Sequence, residues 1–96
     1  MKGNSKLAKY KEYVVNYPIK PVRPSDKAKI LVSYDIKIAY DVLSQCGITE
    51  NKIEAIKLVA GGLSYLEVSK QFNCSADTIR DWINKAYKEV LKIGNS

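Results

Sequence analysis

The chain has 96 residues, 46% hydrophobic and 27% charged, with 16 Lys and Arg against 10 Asp and Glu for a net charge of +6. That length suits one domain and leaves no room for a substrate-binding domain beside a catalytic one, and no apolar run approaches the ~18 residues of a membrane span. Histidine is absent, which removes the usual general base and the commonest metal ligand, so neither enzymatic activity nor a cofactor or metal site is expected.

Charge is unevenly spread. Lys2, Lys6, Lys9, Lys11, Lys20 and Arg23 precede residue 25 against Glu12 alone, whereas the rest of the chain is nearly neutral. The first eleven residues are polar and basic, unlike a secretory signal, so a cytoplasmic location without membrane attachment is expected. Cys46 and Cys74 stand apart, with no CxxC pair or Cys/His cluster, and read as small thiols within a core.

Residues 1–24 read as an extended basic arm. Tyr10, Tyr13, Val14, Val15 and Tyr17 interleave with Lys9 and Lys11, and Pro18, Pro21 and Pro24 then recur at every third position. Proline at that spacing favours polyproline II and forbids a helix through it. Such an arm, carrying Lys20 and Arg23, would either follow a phosphate backbone or minor groove, or be a strap packed on the body or a flexible tail.

Residues 25–96 read as a helical domain. Ser25 as N-cap and Asp26 in the first turn predict one helix over 26–46, with Leu31, Tyr34, Ile38 and Val42 on one stripe and Gly47 ending it in a left-handed conformation. Thr49 caps a second helix whose Ile53, Ile56, Val59 and Ala60 share a face, and Gly61 and Gly62 stop it. Ser64 and Glu67 form a capping box for a short helix over 65–72. Asn73 and Cys74 make a turn, Ser75 caps again, and Ile79, Ile83, Ala86 and Val90 carry a helical stripe onward. Leu58, Val68, Ile79 and Ile83 are expected in the core. The fold class is all-α, a small bundle with a C-terminal helix-turn-helix over 64–87, because the serine-capped helices are eleven residues apart across a three-residue turn.

The run over 49–79, with Glu54, Ile56, Leu58, Ala60, Gly62, Ser64, Glu67, Val68, Phe72, Ser75, Thr78 and Ile79, resembles the LuxR/GerE-type helix-turn-helix without a gap. It is also similar to sigma factor region 4 and to the helix-turn-helix of transposases and phage proteins. Asn51, Lys52 and Trp82 depart from the LuxR pattern. The Trp82 and Ile83 pair looks like a transposase recognition helix, and Lys85, Ala86, Tyr87 and Lys88 look like sigma region 4. The LuxR dimerisation helix has no counterpart, so a homodimer would use the 26–46 helix or the arm.

With Ile79, Ile83 and Ala86 inward, helical geometry turns Ala76, Asp77, Arg80, Asp81 and Asn84 toward base edges. The Arg80 fork matches guanine O6 and N7, and Asn84 matches adenine; both would otherwise be plain solvated surface. Asp77 would orient Arg80 three residues on or accept from a cytosine amine. Phosphate contacts are expected from Ser64, Tyr65, Lys70, Thr78, Lys85 and Lys88. Trp82 either stacks on a base or closes the core as a half-buried ring.

These residues imply sequence-specific binding of double-stranded DNA, with no catalytic residue, by a small transcriptional regulator, from a phage or mobile element if the transposase likeness is followed. A DNA-recognition subunit of a transposase or phage packaging machine is the alternative within DNA biology. A helix-turn-helix adaptor that binds RNA polymerase or another protein is the alternative outside it.

Overall fold

A computed structural model describes residues 5–93, which form six α-helices and no strand. They are α1 (Ser5–Val15), α2 (Pro24–Ser33), α3 (Ile36–Gln45), α4 (Glu50–Ala60), α5 (Tyr65–Gln71) and α6 (Ala76–Leu91). Helix α2 is central, packing chiefly against α4 and α6, while α5 packs on α6 and α1 packs on α3. No helix among the described residues is long and apolar enough to cross a membrane.

The all-helical reading and the helix-turn-helix hold, but the first part of the arm is not extended. Residues 5–15 are helix α1, and its Tyr10 and Val14, one turn apart, are fully buried. The Tyr10 hydroxyl donates to the Leu31 carbonyl of α2, and the Lys11 ammonium donates to the Ile93 carbonyl at 2.6 Å. Burial pushes the Tyr10 phenol well above its ordinary value. The prolines exert their effect only later, over 18–24, where the chain is non-helical until Pro24 enters the first turn of α2. Lys2 of the expected arm lies outside the described residues.

The single helix expected over 26–46 is two. Asp35 is extended (φ −165°), and its carboxylate accepts from Lys37 N at 2.9 Å and Ile38 N at 3.2 Å, capping α3. That cap satisfies two donors that an unbroken helix would have sent to carbonyls, so the chain bends at Tyr34 although the apolar stripe runs straight through. Nor does Ser25 cap α2. Arg23 occupies the N-cap, Pro24 follows it, and the Asp26 carboxylate reaches back to Val22 N and Arg23 N, both at 3.1 Å. Leu58 is half-buried at the core's edge, and Ala55 takes the fourth buried place on α4 beside Ile53, Ile56 and Val59.

From α3 onward every reversal is built alike. Gly47 (φ +87°), Gly62 (φ +115°) and Asn73 (φ +56°) follow the ends of α3, α4 and α5 in the left-handed region. The residue after each, Ile48, Leu63 or Cys74, donates its N–H back to Leu43, Leu58 or Ser69 at 3.0 to 3.2 Å. This pairing takes up carbonyls left over at the helix end, and Thr49, Ser64 or Ser75 then occupies the N-cap of the next helix; the two serine hydroxyls accept a cap bond, whereas the expected side-chain cap from Thr49 is not formed.

Two outcomes follow. Ile83→Ala is expected to cost about 2 to 5 kcal/mol and Tyr10→Ala a comparable amount, because both leave cavities in one core; a urea melt of Tyr10→Ala that matches the parent would place α1 outside that core. The Asp26 carboxyl is held below its ordinary value, first by the Arg23 N–H and then by that of Val22. Its folded pKa therefore lies below its unfolded one, and the stability it contributes is present above the unfolded value and lost as pH falls through the folded value. Asp26→Asn should flatten that part of the acid limb of a stability profile measured by thermal melts.

Candidate nucleic-acid interface

Helices α5 and α6 are set by local chemistry. The Ser64 hydroxyl accepts from Glu67 N at 3.1 Å while Ser64 N donates to Glu67 Oε1 at 3.0 Å, the capping box expected from the sequence. After the left-handed Asn73, Ser75 Oγ accepts from Thr78 N at 3.2 Å and meets Thr78 Oγ1 at 2.9 Å. Ile79, Ile83, Ala86 and Val90 are fully buried. Opposite that stripe, at 100° per residue, run Asp77, Asp81, Lys85 and Lys88, all exposed.

The outward row carries its carboxylates in pairs. Asp77 is bonded to the Arg80 guanidinium, and Asp81 lies 3.5 Å from the Lys85 ammonium. Pairing offsets part of the repulsion that two bare carboxylates would present to a phosphate backbone. Arg80 is half-buried on the flank between the row and the core, with its guanidinium 5.1 Å from the Tyr65 ring centroid. One turn on, Asn84 is also half-buried, its Oδ1 accepting from the Lys27 ammonium at 3.1 Å. Ala76 and Thr78 are half-buried, and Ser64 and Lys70 are exposed on α5 and its cap. Tyr65 accepts from Ser25 N at 2.8 Å, satisfying a donor at the start of α2, and keeps its own hydroxyl proton for another partner.

The expected base readers therefore divide: Asp77 and Asp81 stand on the outward row, while Arg80 and Asn84 stand on the flank beside the start of α2. Lys20 and Arg23 are exposed just before that start, and Arg23 lies 3.9 Å from Asp26. The bond from Ser25 to Tyr65 brings this end of the connector to the head of α5. Trp82 is half-buried on the other flank, edge-on to Phe72 at 6.0 Å with the Lys52 ammonium 5.9 Å from its ring, the core-edge arrangement. Cys46 and Cys74 are free thiols, both partly buried against the core.

Sequence reasoning missed Lys27. It is 57 residues from Asn84, and no local pattern joins them; only the packing of α2 across α6 does. A groove of about 720 Å³ lies elsewhere, between α1 and Ile93, and takes in no residue of α5.

The family model for a homeodomain-like domain matches residues 49–86, about two fifths of the chain, ending within α6. No curated protein and no solved structure matches the chain. The matched span opens at the Thr49 cap of α4 and contains α5, the left-handed Asn73 turn and most of α6. DNA binding through a helix-turn-helix is the function such a domain points to. Over residues 49–86 this chain is therefore similar to a homeodomain-like domain, and the helices α5 and α6 within that span form a helix-turn-helix.

Proposed function

We propose that this protein binds double-stranded DNA sequence-specifically, laying α6 in the major groove, and acts as a small transcriptional regulator. The observation that carries the reading is the outer side of α6, most of which lies within the homeodomain-like span. Its stripe is fully buried, its carboxylates are paired, and Arg80, Asn84, Lys85 and Lys88 remain on or beside the outward row. A major groove about 12 Å wide admits such a helix, and its base edges distinguish all four base pairs.

In this arrangement Arg80 addresses a base edge and is kept in place by the Tyr65 ring and Asp77. Lys70, Lys85 and Lys88 address phosphates, as does the free proton of Tyr65, while Lys20 and Arg23 extend the basic surface beyond the head of α5. As a regulator the protein would act by occupying its site, and the likeness of Lys85, Ala86, Tyr87 and Lys88 to sigma factor region 4 supports that role. The homeodomain-like match and the Trp82 and Ile83 pair favour, as a second reading, the DNA-recognition subunit of a transposase, which would bind the ends of a mobile element in preference to promoters.

The test uses a site selected from random duplex DNA and read by fluorescence anisotropy at several salt concentrations. Arg80→Ala should cost roughly 1 to 3 kcal/mol on that site and relax selectivity at one base pair. Lys88→Ala should weaken all sequences alike and reduce the log-log salt slope by about 1. Should Arg80→Ala leave DNA binding intact while abolishing association with a protein partner, the adaptor reading would replace this one.

A further inference from the structure

The bond between Lys27 and Asn84 fixes what α6 can read there. An ammonium has three donors and no acceptor, so the amide group that faces it must be the oxygen, and chemistry alone settles which way the Asn84 amide points. Lys27 is kept there from both sides. Its ammonium lies 5.4 Å from the centroid of the Tyr87 ring on α6, and the head of α2 is fastened by the hydrogen bond from Ser25 N to the Tyr65 hydroxyl.

An asparagine reads adenine by accepting from N6 through its oxygen while donating to N7 through its nitrogen. Here the oxygen already holds a charged donor, and an adenine amine approaching it would meet that positive charge. The second lone pair of that oxygen lies beside the same ammonium, so the group the amide offers away from that charge is Nδ2 with its two protons. Arg80, one turn earlier on the same flank, and the remaining ammonium protons of Lys27 also only donate. The flank of α6 beside α2 is therefore a row of donors. Guanine, with N7 and O6 side by side in the major groove, is the base whose edge offers two acceptors there.

We infer that Lys27, which lies outside the helix-turn-helix, is a positioning residue that sets Asn84 as a donor and makes guanine, not adenine, the base read at that step. This rests on the DNA-binding reading above and replaces the adenine pairing expected for Asn84 from sequence. It gives α2 a part in specificity: the helix that anchors the domain's core also sets one of its base readers.

The experiment selects sites from random duplex DNA with the full chain, with Asn84→Ala and with Lys27→Met, whose folding is checked by melting. The base pair whose preference relaxes in Asn84→Ala is the one that Asn84 reads. At that pair the parent should prefer guanine over adenine by about tenfold, within the range for a good direct contact. Lys27→Met frees the amide oxygen and should move the preference to adenine at that pair alone. The inference is overturned if the parent already prefers adenine there, if Asn84→Ala relaxes no pair, or if Lys27→Met weakens every sequence alike with guanine preference unchanged. If Lys27→Met does not fold, Lys27→Ala, which also frees the amide oxygen, takes its place, and an unchanged guanine preference in it overturns the inference. A parent that enriches no duplex at all overturns the DNA-binding reading and this inference with it, an outcome distinct from the other three.

Discussion

A backbone at positive φ, two residues past the last residue of a helix, makes each reversal in the C-terminal two thirds of this chain. Gly47, Gly62 and Asn73 hold that conformation after α3, α4 and α5, and each is followed by a residue that donates back across the helix end. Glycine adopts it freely, whereas a side chain with a Cβ pays for it unless, like asparagine, it tolerates the left-handed well. Because the next residue but one is in each case a hydroxyl residue that starts a helix, little chain is spent between helices. Their mutual angles are thus constrained by contacts within a few residues of each turn.

The core then decides which sides remain outside. With Ile79, Ile83, Ala86 and Val90 held against α2 and α4, only one side of α6 can face a partner. Its charges are arranged as pairs within one helix, so the outward row is less acidic than the bare presence of Asp77 and Asp81 suggests. Helix α2 joins the two halves of the molecule. Its inner residues Ala28 and Leu31 are fully buried, while Ser25 and Lys27 at its head bond to α5 and α6. The connector before it is tied to the helix-turn-helix through those bonds.

What the sequence disclosed followed from how far each signal reaches. The capping box, hydroxyl caps and apolar stripe of 64–90 act over three or four residues, and α5 and α6 appear where those signals place them. Sequence and structure part where a local and a longer signal conflict. An apolar stripe running through Tyr34 masked the cap that Asp35 gives α3. Interleaved lysines made α1 look like a solvated arm, although Tyr10 and Val14 are spaced as one buried side of a helix. Lys27 and Asn84 carry no shared local signal, since their contact exists only once α2 has crossed α6.

The central claim is that the outer side of α6, with the head of α5 and the start of α2, is a surface for duplex DNA. Backbone amide chemical shifts of the isotope-labelled protein, recorded while a selected duplex is added, test it most directly. The account predicts that the largest changes fall on residues 64–66 and 76–88 and on Ser25 and Lys27, with α1 and α3 little affected. Changes centred on α1 and α3, with α6 unmoved at saturating duplex, would contradict it.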